Sequence, residues 1–161
     1  MKIKIKVKVF KNGYFPVVSE KGDWIDLKSA IDVTSIPSTG NAFYIPLGIA
    51  IKLPKGFEAI VASRSSAPRR YGIFIPNGIG IIDNSYSGNG DEWMLVAHPL
   101  HKNITAPILS GDRICQFRIQ LSQNATFWQK LKWLFSSGVE LVEVANLDSN
   151  NRGGLGSSGV K

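Results

Sequence analysis

Residues 77–93 read NGIGIIDNSYSGNGDEW, and the fold and the chemistry of the chain are best approached from this stretch. Asn77-Gly78 stands between two apolar, β-prone runs, residues 72–75 and 79–82, an arrangement that predicts a tight β-hairpin. Directly after the second arm come one carboxylate, Asp83, and one aromatic hydroxyl, Tyr86, before further turns at Gly88 and Gly90. An aspartate at such a place is more often a turn or cap residue than a general base. Alone, the stretch predicts a fold element and two candidate side chains at its mouth.

Working outward, short β-branched runs punctuated by turn residues recur along the whole chain. With 16 glycines and 8 prolines, 161 residues favour a single all-β sandwich or barrel over a helical bundle. Residues 2–10 alternate Lys with Ile or Val, the period of a strand with one wet and one buried face. Its lysines also suit an edge strand, which they protect from pairing with other chains. Further strands are expected at residues 43–47, 48–53, 57–62, 94–97, 104–109 and 139–144, and from Gly111 through Ile119. Residues 123–136 break this pattern. There Thr126 as N-cap and Gln129 three positions later form a capping box, which predicts a short helix. Phe127, Leu131 and Leu134 share one face of it, widened by Trp128 and Phe135.

The formal charge of +7 welcomes an anionic partner, whether a nucleotide, a polynucleotide or an acidic surface. Cys115 is the single cysteine, so no intrachain disulfide is possible, and a reducing cytoplasm fits better than secretion. The lysine-interrupted N-terminus lacks the apolar core of a signal peptide, and no apolar run approaches the ~20 residues of a bilayer crossing. His98 and His101 share a loop, but with no cysteine near them packing or surface roles outweigh a zinc site. Asp26 lies in the apolar run GDWIDL at 22–27, where a carboxylate needs a partner. In residues 63–70, SRSSAPRR, Pro68 fits an early helical position. Ser65 and Ser66 would then flank a helix N-terminus, which favours phosphate.

Together these segments resemble the trimeric dUTPase (dUTP nucleotidohydrolase) family. Gly-Ile-Ile-Asp-x-x-Tyr-x-Gly at 80–88 resembles its third signature, and Gly111-Asp-x-x-x-Gln116 matches its fourth at every fixed position. Residues 22–27 resemble the first, with Asp23-Trp24 in place of small residues, and residues 63–66 the second, with Ser63 in place of Pro. The glycine-rich run 152–159 resembles the fifth, and its backbone amides can close around phosphates. Leu155 departs from the pattern, because the family commonly has there a Phe that stacks on uracil. Trp93 and Met94 are the candidates for supplying that lid from elsewhere.

The resemblance implies a distorted, jelly-roll-like β-barrel over residues 1–147, with a helical insertion at 124–136, and a glycine-rich arm at 148–161 that closes on the active site. It implies a homotrimer whose active sites draw on all three chains. The reaction implied is dUTP plus water giving dUMP and pyrophosphate with Mg²⁺ on the phosphates, which limits uracil in DNA and supplies dUMP for thymidylate synthesis. By resemblance Asp83 is the general base, Asn77, Gly80 and Ile82 meet uracil, and Tyr86 lies flat against the deoxyribose. Arg64, Ser65, Ser66, Gln116, Arg152, Leu155, Gly156 and Ser157 complete the substrate site, with Arg152 at the γ-phosphate. Asp26 stands near the waters of the metal, while Asp112 and Arg113 organise the trimer and the loop. The inserted helix packs on its own trimer as the first reading and meets a protein partner as the second. Neither stable nucleic-acid binding nor a membrane is expected, and the setting is the cytoplasm, the host's if a phage encodes the chain. Two rivals stand beside this reading: a dCTP deaminase of related fold, and a non-catalytic β-barrel that binds nucleic acid or a regulatory protein.

Overall fold

The computed structural model describes residues 1–19, 22–35, 41–101 and 106–154. In chain order the elements are β1 (Ile3–Val9), β2 (Val17–Val18), β3 (Ile25–Lys28), β4 (Phe43–Pro46), β5 (Ile49–Lys52), β6 (Phe57–Ser63), α1 (Ala67–Tyr71), β7 (Ile73–Phe74), β8 (Gly80–Ile82), β9 (Met94–Pro99), β10 (Arg113–Leu121), α2 (Phe127–Leu134) and β11 (Val139–Glu143). The described strands form three sheets, ordered β11-β1-β5, β2-β3-β10-β6-β8 and β4-β9-β7. The fold is therefore all-β with two short helices.

Period-two alternation builds the core. Ile3, Ile5 and Val7 of β1 are fully buried, while Lys4 and Lys6 between them stay exposed. They meet Phe57 and Phe117 of the central sheet and Ile45, Leu95 and Ala97 of the third in one apolar cluster. Cys115 lies in that cluster, where burial pushes its thiol far above the ordinary range, so it is inert packing. Contrary to the edge-strand expectation, β1 is the middle strand of its sheet, paired in parallel with β11 and antiparallel with β5. Its lysines therefore cover a sheet face rather than a sheet edge.

The predicted hairpin is corrected too. A turn does form, with Gly78 at φ 79° and its N–H donating to the Ile75 carbonyl at 3.0 Å. That bond closes the turn over Pro76 and Asn77, because Pro76 supplies the fixed φ that the second turn position wants. The two arms then part company, β7 pairing with β9 and β8 with β6. Trp93 lines a cleft beside this region, yet it is fully buried with its ring edge-on to Phe117 at 5.2 Å between centroids. As part of the core it cannot serve as a mobile lid. Met94 is left as the lid candidate of the two.

α2 starts at the expected place. Thr126 accepts from the Gln129 N–H while the Gln129 side chain accepts from the Thr126 N–H at 2.7 Å, which completes the capping box. The apolar face named above points outward, with Phe127, Trp128, Leu134 and Phe135 all exposed. The other face holds the helix to the barrel: Trp133 meets Phe57 edge-on at 5.4 Å and Gln129 lies against Gly56. Trp133→Ala should lower stability by roughly 1–3 kcal/mol and Trp128→Ala by less than about 0.5 kcal/mol, read from chemical-denaturation midpoints.

Candidate active site

Among the described residues strand β8 is the outermost strand of the five-stranded sheet and pairs only with β6, so its free edge presents backbone N–H and C=O groups. Beside it opens a cleft of about 480 Å³, lined by Asn77, Gly80, Ile82, Asp83 and Tyr86, with Met94 and Arg152 at its margins. Gly80 sits over Val61. A methyl group there would make only ordinary contact with Val61, at 3.5 Å, so packing alone does not demand glycine.

Three hydrogen bonds hold Asp83 at the mouth. The Asn84 side chain donates to the carbonyls of Leu53 and Pro54 at 2.6 and 2.9 Å, and the Tyr86 N–H donates to the Asp83 carbonyl at 3.0 Å. The carboxylate itself is more than half exposed and pairs with the Arg152 guanidinium at 2.9 Å. Tyr86 donates its hydroxyl to the Glu92 carbonyl at 2.8 Å. Burial, reinforced by the charges of Asp91 and Glu92, pushes its phenol above the usual value.

A second group of expected residues gathers around β3, β6 and β10, outside the lining of this cleft. Asp26 is 4% exposed and has one oxygen on Arg64 Nε at 2.9 Å and the other on Arg113 Nη1 at 3.0 Å. The partner that a buried carboxylate requires is thus a pair of arginines. Arg113 accordingly belongs with Asp26, a contact the sequence reading missed, since a register shift between Arg113 and Cys115 hides it from simple alternation. Asp112 keeps its loop role by accepting the Leu109 N–H at 3.0 Å. Gln116 reaches the Ser63 carbonyl at 3.5 Å. Ser65 and Ser66 lie just ahead of α1, with Ser66 as its N-cap and Pro68 in its first turn, as the spacing predicted. Leu155, Gly156 and Ser157 lie outside the described residues. Among the described residues no group of three His, Cys, Asp or Glu could cage a metal. The His98 ring packs against Phe74 at 5.3 Å between centroids, the two planes tilted by 48°.

The dUTPase family model matches residues 5–131. The chain is also 41% identical over 142 residues to the SPβ prophage-derived deoxyuridine 5′-triphosphate nucleotidohydrolase YosS of Bacillus subtilis, covering 88% of this chain and 87% of that one. It belongs to the dUTPase family. A deoxyuridine 5′-triphosphate nucleotidohydrolase of Zymomonas mobilis is 32% identical over 166 residues, covering 99% of this chain and all of the relative. Among solved structures, the dUTPase of Streptococcus mutans superposes with a TM-score of 0.64 at 20% identity over 75% of this chain and 98% of that one. A mutant dUTPase from phage phi11 of S. aureus, described with a structural Mg(II) ion, gives 0.62 at 19% identity over 76% and 94% of the two chains. These likenesses show the jelly-roll-like β fold of dUTPases.

Tyr86 offers a direct test of the cleft's electrostatics. Its folded pKa lies above the ordinary value of 10.0, so its contribution to stability is complete below about pH 10 and is lost as pH rises through the folded value. Tyr71 is raised as well, chiefly by burial. An alkaline tyrosinate titration should therefore show two late phenols, and Tyr86→Phe should remove one of them.

Proposed function

We propose that this dUTPase-family enzyme hydrolyses dUTP to dUMP and pyrophosphate, with the free edge of β8 reading the base. The observation that carries the reading is that unpaired edge, set in a cleft beside one carboxylate and one phenol. Backbone N–H and C=O groups on a strand edge are fixed donors and acceptors, so they can match uracil as a pairing partner would. Cytosine would present its amine where an acceptor is needed, leaving a buried donor unmatched. Asn77 and Ile82 frame the base, and the bare Cα of Gly80 leaves it room to approach. Tyr86 lies along the deoxyribose, where its ring excludes a 2′-hydroxyl.

Asp83 takes a proton from a water molecule as the water oxygen bonds to the α-phosphorus. The bond from that phosphorus to the bridging oxygen breaks, and pyrophosphate carries away its electron pair. Arg152 leaves Asp83 for the phosphate chain, freeing the carboxylate as the triphosphate arrives and neutralising developing charge. By resemblance Leu155, Gly156 and Ser157 would also contact the substrate. Magnesium fits this donor set as part of the nucleotide complex, since the ion keeps several waters and prefers phosphate oxygens to an all-protein cage. Asp26, with its oxygens on arginines, would meet only those waters.

The separation of Asp26, Arg64 and Gln116 from the Asp83 cleft supports a homotrimer whose sites are shared between copies. One chain would supply the base-reading edge, and a neighbour's Arg64, Ser65, Ser66 and Gln116 would grip the phosphates. In the cytoplasm such an enzyme would keep uracil out of DNA and supply dUMP for thymidylate synthesis. The outward face of α2 is free in the single chain for a neighbouring copy or a protein partner.

Pyrophosphate release should be seen from dUTP and hardly at all from dTTP, dCTP or UTP, and chelating magnesium should suppress it. Silence with dUTP would refute the reading, and ammonia from dCTP would point to deamination. Asp83→Asn should keep nucleotide affinity while kcat falls ~10²- to 10⁴-fold, as measured by turnover and by calorimetric titration with a non-hydrolysable dUTP analogue.

A further inference from the structure

Asp83 stands just beyond the last rung of its strand, since the β6–β8 ladder ends at Ile82 opposite Ala59. Its side chain is 57% exposed, so packing does not fix it. The next residue, Asn84, reaches to a turn outside the lining of the cleft. Its amide nitrogen has two N–H donors and directs them at consecutive carbonyls, Leu53 at 2.6 Å and Pro54 at 2.9 Å. Leu53 is buried, so one of the two acceptors is anchored in the core.

That turn is closed and held from behind. The Phe57 N–H donates to the Pro54 carbonyl at 3.1 Å, with Gly56 at φ 84° in the third position of the turn. The Gly56 carbonyl accepts the Ser122 N–H at 2.9 Å, just ahead of the helical insertion. α2 then lies against the turn. Gln129 packs on Gly56 so closely that a methyl group there would collide with it, and Trp133 meets buried Phe57 edge-on. Gln129 is not free to swing aside, because it also closes the capping box with Thr126. A continuous line of contacts therefore runs from α2 through residues 54–57 and Asn84 to Asp83.

We propose that Asn84 is a positioning residue for Asp83, and that α2 is the buttress that keeps its anchoring turn still. This rests on reading Asp83 as the general base of dUTP hydrolysis. Asn84 touches no substrate. It acts by fixing the backbone that carries the carboxylate, so that the carboxylate meets a water aligned with the α-phosphorus. The inner face of the inserted helix thereby gains a part in turnover that is separate from anything its outward face meets.

Turnover and hydrogen exchange test this together. Asn84→Ala should lower kcat by up to ~100-fold with KM changing far less, because a base displaced by about an ångström loses that much. Adding Asn84→Ala to Asp83→Asn should cause no further loss, whereas multiplied losses would show that Asn84 acts apart from Asp83 and overturn the proposal. Asn84→Ser, with a single donor, should fall between, and it carries the same comparison if the alanine variant does not fold. Trp133→Ala, assayed well below its melting transition, should also lose kcat, and that loss should vanish in the Asn84→Ala background. Wild-type turnover in folded Trp133→Ala, or a matching loss in Trp128→Ala on the outward face, would refute the buttress. Native-state exchange should quicken at the Tyr86 amide, which is bonded to the Asp83 carbonyl, in Asn84→Ala and Trp133→Ala. The core amide of Ile108, bonded to the Val33 carbonyl, should keep its rate, and equal quickening at both amides would mean general loosening and sink the idea. A wild-type protein inert towards dUTP would defeat the functional reading, while the exchange measurements would still judge the tether.

Discussion

A sheet that ends in an unpaired strand has backbone groups to satisfy, and this molecule is arranged around the edge of β8. Natural edge strands are kept short or covered because a long free edge recruits other chains. Here the strand is three residues long and its free side opens into a cleft rather than onto a flat surface. The turn at Pro76–Asn77 delivers the chain to it, and Asn84 ties the other end to the β5–β6 connection. Its shortness leaves the edge with only a few hydrogen-bonding groups beside the cleft, few enough for a flat, planar ligand to fill. On the proposed reading, uracil supplies the complementary pattern, and a liability of sheet architecture becomes a means of recognition.

Local signals were the most legible in the sequence. The capping box of α2, the Pro68 position in α1 and the wet-dry alternation of β1 depend on contacts a few residues apart, and each is found where the spacing puts it. Partnership between strands was less legible. Alternation reports which face of β1 is dry, but not that β11 and β5 take both of its edges. The hairpin reading failed because Asn-Gly competes with the proline before it, and Pro76 claimed the turn. The need of Asp26 for a partner could be stated from its apolar surroundings, but Arg113 could not be named, because a bulge in β10 breaks the period that would have pointed to it.

The site residues were legible as types and not as one assembly. In a single chain they fall into two groups, Asp83, Tyr86 and Arg152 beside β8, and Asp26, Arg64 and Gln116 across β3, β6 and β10. On the proposed reading each group is incomplete on its own, since one has the free strand edge, Asp83 and Arg152 while the other has further cations and an amide suited to phosphates. The missing information is symmetry, which no spacing along one polypeptide records. Asn84 went unnoticed for a related reason. Its importance lies in joining two loops that are some 30 positions apart in the chain.

The formal charge of +7 overstates how much positive field the site offers. Arg64 and Arg113 are paired with Asp26, and Arg152 with Asp83. A triphosphate would therefore exchange partners with these guanidinium groups rather than fill an empty basic pocket. Such exchange costs less reorganisation, because the arginines already sit in charge-assisted geometry before the nucleotide arrives. It also disfavours loose anions: a single phosphate must displace a held carboxylate without the base contacts that β8 provides. On the proposed reading, discrimination lies in requiring base and phosphates together, with Asp26 and Asp83 holding the arginines until a nucleotide takes their place.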